Sequence, residues 1–312
     1  MPLPAASGRI VSLGEAMVEF NQVRAGAPDF LQGFGGDTSN CLVAAARQGA
    51  PTAYVSAVGD DAFGAMLLSL WRDEGVDVRH VAVDRHAHTG VYFVTHDASG
   101  HQFSYLRAGS AASRLGPADL PADLFDGTAF LHVSGITQAI STTACDASFE
   151  AIRQARAREV PIAYDPNLRL RLWPLARARA VVRETVASAD LLLISEDDAA
   201  ALTAAPTPDE MLAVLLGWGA RTVLLKRGAE GVLLHVDGRR ETVPGHAVAA
   251  VDATGAGDCF AGAFLARLAS GDDVLAATRY ANAAAALSTL GHGAIAPIPR
   301  PVDVERLLAS GG

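Results

Sequence analysis

Lysine is almost absent from this chain: Lys226 is the only one, and it follows Leu225 rather than a glycine. That excludes a Walker-type P-loop, whose lysine follows a glycine-rich turn. Cysteine is scarce too. Cys41, Cys145 and Cys259 are odd in number, far apart and without a Cys-x-x-Cys spacing. They exclude a zinc ribbon and a disulfide framework, and read as small core residues in a reducing compartment. Positive charge is also short. At −9 the chain lacks the surface that nucleic acid or an anionic membrane would need. Any anionic ligand must then meet cations gathered locally, nearly all of them arginine. Long apolar runs are missing, since Arg267, Arg279 and Asn282 interrupt the Ala-rich stretches. The first eight residues have neither a basic start nor an apolar h-region. No Gly-x-Gly-x-x-Gly follows the first apolar run, where Gly14 precedes Glu15-Ala16, so a nicotinamide-dependent oxidoreductase is not indicated. A cytoplasmic protein is expected.

What is present reads as an α/β core. Half of the 312 residues are hydrophobic and 19% are charged, enough to bury a large interior. Residues 9–14 and 52–58 read as buried strands, and 15–20 as a strand with one wet face. Gly33 to Asn40 reads as a glycine loop leading into a helix that starts at Cys41. Gly59, Asp61 and Gly64 suit a structural turn before a helix through Trp71. Residues 89–95 and 101–107 alternate around Asp97-Ala98-Ser99-Gly100, a hairpin signal. With the strand after Gly14 they suggest a small β-sheet lid, from segments about 15–34 and 89–110, over a ligand and at a dimer surface. From Ala129 strands and helices alternate: strands over 129–133, 160–164, 190–194 and 221–226, helices over 144–158 and 175–188, and short helices between 197 and 217. Gly231–Val236 reads as a hairpin partner for 221–226, and 272–290 as a long closing helix. Such alternation predicts a mostly parallel sheet covered on both faces, within one domain spanning 1–312.

The chemistry concentrates at Val251-Asp252-Ala253-Thr254-Gly255-Ala256-Gly257-Asp258-Cys259-Phe260. Small turn residues pass into an apolar helix, so backbone N–H groups and the positive dipole end converge there, which suits a phosphate. Asp258 sits where the anion would sit. A carboxylate there is poor for binding phosphate but well placed to take a proton from an attacking hydroxyl. A lone Asp in a first turn reads equally as a helix cap. Amides for a phosphoryl group with a base beside them are what a small-molecule kinase requires.

This run resembles the C-terminal signature of the ribokinase-like (phosphofructokinase-B type) carbohydrate kinases, Asp-Thr-x-Gly-Ala-Gly-Asp-x-Phe, with Ala253 in place of the first Thr. Gly36 and Asn40 match that family's N-terminal signature. The resemblance covers nearly the whole chain and implies a three-layer αβα fold. It makes Asp258 the catalytic base, Gly255, Ala256 and Gly257 the anion hole, and Mg–ATP the phosphoryl donor. It also implies a homodimer through the lid.

Two further stretches narrow the acceptor. Tyr105-x-Arg107-x-Gly-Ser-Ala-Ala-Ser113 and Asp165-Pro-Asn-x-Arg169-x-x-x-Trp173 resemble the branch of that family acting on 2-keto-3-deoxygluconate. That implies Tyr92, Tyr105, Arg107 and Arg169 in contact with a sugar acid, Arg107 and Arg169 nearest its carboxylate, with Gly35, Gly36, Asn40 and Ile136 lining the rest. A fructose or ribose kinase of the same family, or a non-catalytic sensor with its fold, are the rival readings. On the nucleotide side, Lys226, Gly228 and Gly231 match a segment that runs beside the nucleotide in relatives, and Asn282 lies where relatives pack adenine. The family's Asn-x-x-Glu, linked to magnesium through water, is replaced by Ser195 and Asp198. Both are shorter, and no direct protein ligand to metal is assigned. Some relatives hold a monovalent cation such as K+ near Asp252 and Gly291-His292-Gly293.

Overall fold

In a computed structural model, which describes residues 8–97 and 100–310, the chain opens on β1 (Arg9–Leu13), β2 (Met17–Gln22) and β3 (Phe30–Gly35), then enters α1 (Asp37–Arg47). β4 (Thr52–Gly59), α2 (Ala62–Asp73), β5 (Val76–Asp77) and β6 (Val81–Asp84) precede the pair β7 (Val91–Asp97) and β8 (Gly100–Leu106). Next come β9 (Thr128–Ser134), α3 (Gly135–Ile140), α4 (Thr142–Ala157), β10 (Ile162–Asp165), α5 (Leu175–Ser188) and β11 (Leu191–Ser195). α6 (Glu196–Thr203), α7 (Pro208–Gly217), β12 (Thr222–Lys226), β13 (Val232–Val236) and β14 (Arg239–Val243) follow. α8 (Ala256–Ala269), α9 (Val274–Ser288) and α10 (Pro301–Ala309) complete it.

The large sheet runs β14-β13-β12-β11-β10-β9-β1-β4-β5, with β6 also paired to β4. Its centre, β12 to β4, is parallel, while β13 and β14 add antiparallel strands at one edge. Alternate residues of a strand face opposite sides, and that alternation sets the layers. Ile10, Tyr54, Leu193 and Leu224 enter a core shared with α1, α2, α8 and α9. Val11, Val55, Ile194 and Leu225 enter the opposite core under α4, α5, α6 and α7. Helices on both faces explain why these strands read as continuous apolar runs.

The second sheet has the order β3-β2-β7-β8. Its β2–β3 and β7–β8 pairs are antiparallel, and the β2–β7 contact between them is parallel. The lid segments expected from sequence therefore form one sheet, although Ala98 and Ser99 of its turn lie outside the described residues. The expected glycine loop at 33–40 is corrected. Gly33 and Gly35 pair with Glu19 and Met17 in β3, and the helix starts at Asp37, four residues before Cys41. Ladder hydrogen bonds hold glycines that sequence alone assigns to a loop. Asp61 proves structural, as expected: it caps α2 through Gly64 N at 2.8 Å and accepts from the backbone and hydroxyl of Thr89. Among the described residues no helix is long and apolar enough to cross a membrane.

Helices α1 and α8 cross closely because Gly262 has no side chain. A Cβ there would stand 2.2 Å from Cys41 O and 2.7 Å from Ala44 Cβ. Gly262→Ala should therefore lower stability by about 1–3 kcal/mol through overpacking, seen as an earlier midpoint in urea denaturation. An unchanged midpoint would show that these helices are free to separate.

Candidate active site

The carboxyl ends of parallel strands are where open α/β sheets bind ligands. Here β9 and β10 end in register at Ser134 and Asp165, and β11 and β12 at Ser195 and Lys226. The packing of α1 against α8 brings both helix starts to this edge. Asn40 Nδ2 of α1 donates to Asp258 Oδ2 at 2.8 Å. Asp37, 7% exposed, accepts from Thr38 N at 2.9 Å, from Asn167 Nδ2 at 3.1 Å and from the Ser134 hydroxyl. Lys226 Nζ pairs with Asp165 Oδ2 at 2.6 Å.

The turn before α8 works because Gly255 adopts φ 75°, a left-handed conformation that costs glycine little. Among the described residues no side chain caps this helix. Its first-turn N–H groups have no intrahelical acceptor, although Ala256 turns its own to Ala253 O at 3.2 Å. Gly255 and Gly257 flank that residue at the helix start. Asp258 does not cap the helix; its carboxyl turns to α1. Enclosure by protein, then the neighbouring Asp37 and Asp165, push its pKa up to about 8 against the opposing Asn40 and Lys226. Burial opposes the charge on Lys226, but Asp165, Asp258 and Asp198 hold its pKa above the ordinary lysine value.

Of the residues expected to meet the acceptor, Tyr92 and Tyr105 stack with ring centroids 5.6 Å apart, and the Tyr92 hydroxyl donates to Glu19. That hydroxyl also lies against Gly35, where a built Cβ would stand 2.4 Å from it. Arg107 is not free: its Nε donates to Glu15 Oε2 at 2.8 Å and Nη2 lies 2.5 Å from the same oxygen. Glu15, 2% exposed, also accepts from the Ser110 hydroxyl. Gly36 caps α1, and Ile136 is half-buried in α3. Arg169 follows β10 on the exposed side, its Nη1 bonded to Leu168 O at 3.0 Å.

Of the residues expected beside a nucleotide, Ser195 caps α6 by accepting from Asp198 N at 3.1 Å, and Asp198 Oδ2 accepts from Leu168 N at 3.1 Å. Burial, then Asp165, raise the Asp198 pKa. Among the described residues no group of three or more His, Cys, Asp or Glu could hold a metal ion. Gly228 opens a short 3-10 turn that ends at Gly231, whose φ of 92° lets the backbone pass Val243. Arg227 is committed to Glu196 at 2.9 Å. Asn282, 8% exposed, donates to Val243 O and Pro244 O, so part of its capacity serves the fold. Asp252 accepts from Thr254 N and Gly293 N, which joins the signature turn to the 291–293 loop. Enclosed volume is no guide here: a cavity of about 560 Å³ beside Leu287, Ile298 and Arg306 holds none of these groups.

Sequence reasoning missed Glu15, Asp37, Asp165 and Asn167 as members of this cluster. Asn167 carries a signal visible only in structure, φ 37°, a strained value of the kind that collects at functional sites.

A parallel αβα body with a small separate sheet, and a helix start holding an acid at the strand ends, is the arrangement of a ribokinase-like sugar kinase. The chain belongs to the pfkB family of carbohydrate kinases, whose model matches residues 7–301. It is similar to the 2-dehydro-3-deoxygluconokinase of Thermoproteus tenax, 35% identical over 308 residues, which cover 96% of this chain and 94% of that one. It also resembles a fructokinase of Vibrio cholerae O395 solved with fructose, ADP and calcium ion: 31% identity, TM-score 0.88, covering 97% of this chain and 99% of that one. A fructokinase of Xylella fastidiosa with bound ATP aligns at 25% identity and TM-score 0.89, covering 97% and 98%. The protein is an ATP-dependent carbohydrate kinase.

With Asp258 raised in this way, the free enzyme holds its proton at neutral pH and loses it as pH rises. Turnover that needs the carboxylate should therefore climb through a one-proton limb centred near pH 8, read in kcat/KM. A profile flat from about pH 6 to about pH 9 would contradict that environment.

Proposed function

We propose that the chain transfers the γ-phosphoryl group of Mg–ATP to the terminal (6-) hydroxyl of 2-keto-3-deoxygluconate. The observation that carries this is the position of Asp258. It stands in the first turn of α8 beside the Gly255–Gly257 amides, and Asn40 holds it across from α1. Asp258 takes the acceptor hydroxyl proton as the new oxygen–phosphorus bond forms. The bond from the γ-phosphorus to the bridging oxygen breaks, and its electron pair leaves on ADP. The helix-start amides at Gly255 and Gly257 meet charge on the moving group. Magnesium neutralises phosphate charge when bound, and it travels with the nucleotide. Gly228, Gly231, Lys226 and Asn282 border the nucleotide, with Ser195 at the adjoining strand end.

Support for a sugar acid comes from Arg107 on the small sheet, next to Tyr105 with its guanidinium carbon 5.8 Å from that ring, and from Arg169 beyond β10. A guanidinium suits a carboxylate, and the Thermoproteus tenax relative carries that activity in its name. One observation favours a neutral sugar such as fructose: Glu15 already pairs with Arg107. The remaining N–H groups of Arg107 decide between the two, and an ADP-release assay across sugars reads the decision. ADP formed with fructose and not with the keto-deoxy acid would overturn the proposed acceptor. Asp258→Asn should reduce kcat by roughly a hundred- to ten-thousand-fold. Arg107→Ala should raise KM for the sugar acid by roughly ten- to a hundredfold, the worth of a charge-assisted bond, with little change for a neutral sugar.

The small sheet leaves Phe30, Leu31, Phe103 and Leu106 exposed, Leu31 at 66%. A homodimer would cover them. Sedimentation equilibrium should give a dimer for the native chain and a monomer for Leu31→Arg with Leu106→Arg; a monomeric native chain would contradict the pairing.

A further inference from the structure

Lys226 places its ammonium between two groups. On one side is Asp165 Oδ2 at 2.6 Å, with the two side chains only 14% and 7% exposed. On the other is the start of α8, where a Cβ built on Gly257 would stand 3.4 Å from Nζ. Asp165 is itself fixed from behind. Its Oδ1 accepts from Asn167 N at 3.1 Å, and the Asn167 side chain continues to Asp37. A buried ammonium acted on by two carboxylates, Asp165 in contact and Asp258 through its charge, would settle on whichever leaves it least unpaired.

We infer that Asp165 is a positioning residue for phosphoryl transfer: its pairing with Lys226 holds the chain's single ammonium beside Gly257, where the phosphoryl group passes, and keeps it from closing on Asp258. This rests on the reading of Asp258 as the base. The groups coupled to Asp258 by charge or hydrogen bond come from five elements: Asp37, Asn40 and Cys41 from α1, Asp165 from β10, Lys226 from β12, Tyr92 from the small sheet, and Cys259 from α8 itself. Asp37 and Asp165 favour its protonated form, whereas Lys226 favours the carboxylate. Loss of Asp165 therefore acts twice in one direction: a repelling carboxylate goes, and the freed ammonium pairs with Asp258. Loss of the ammonium acts in the other direction.

The test uses the full chain with Mg–ATP and whichever sugar supports turnover, and records kcat and KM against pH for Asp165→Asn, Lys226→Gln, the double variant and Asp258→Asn. In Asp165→Asn the acid limb of kcat should move down by about one pH unit, because the base is weakened by a tight ion pair. In Lys226→Gln it should move up by about one unit. Both should lose roughly tenfold or more in kcat, with KM for the sugar changed less than about threefold. In kcat the double variant should match Lys226→Gln within about twofold, since Asp165 positions through Lys226, while its acid limb falls below that of Lys226→Gln because the repelling Asp165 charge is gone as well. Limbs that stay in place or move together, or losses that multiply in the double variant, would overturn the inference. Should Asp165→Asn fail to fold because it strands a buried ammonium, the double variant removes that charge as well, and its comparison with Lys226→Gln decides. Undiminished turnover in Asp258→Asn would sink the base reading itself; inactivity there with unmoved limbs in the others would sink only the role given to Asp165.

Discussion

Three carboxylates and one ammonium share the floor of this site. Asp37, Asp165 and Asp258 converge at the carboxyl ends of the central strands, and Lys226 is the cation that the chain supplies among them. Uncompensated buried charge is costly, so each carboxylate must be hydrogen-bonded or hold its proton. Asp37 takes the first course through Thr38, Ser134 and Asn167, and Asp165 through Lys226 and Asn167. Among the described residues Asp258 is left with one donor, Asn40, and is the group driven toward protonation. The constraint thus leaves Asp258 as the carboxyl most disposed to keep its proton.

The fold imposes this crowding. Parallel strands end at one edge, and two helices whose crossing depends on Gly262 deliver their first turns to the same place. Helix starts supply unpaired N–H groups and partial positive charge, which partly offsets the carboxylates before any ligand arrives. The small sheet adds a second ion pair, Glu15 with Arg107, at the junction between the sheets. In this geometry Arg107 beside the small sheet is a neutralised cation and Lys226 at the strand ends a shared one.

Much of the architecture was legible in the sequence. Helix α5 and the run of strands from β9 to β13 follow from apolar runs bounded by turn residues, and Gly255 with Asp258 marked the helix start. What escaped was local pairing and side-chain direction. Gly33 and Gly35 read as loop residues because no periodicity reveals that β2 supplies a partner ladder. The short strands β5 and β6 carry too few residues to announce themselves, and β14 is polar at most positions. Asp37 stood beside a recognised glycine pair, and Asp165 lay inside a recognised stretch. Neither could be assigned to the site, because sequence spacing does not say that strands far apart in the chain end side by side. Arg107 was placed correctly at a strand end, but its partner Glu15 lies 92 positions away.

The central claim is spatial: the acceptor hydroxyl, Asp258 and the start of α8 meet at one point. A crystal structure with ADP and the acceptor sugar tests it most directly. The account predicts the reactive hydroxyl oxygen about 3 Å from an Asp258 oxygen, with the ADP β-phosphate facing the Gly255–Gly257 amides. A hydroxyl beyond reach of Asp258, or a nucleotide bound away from the start of α8, would contradict it.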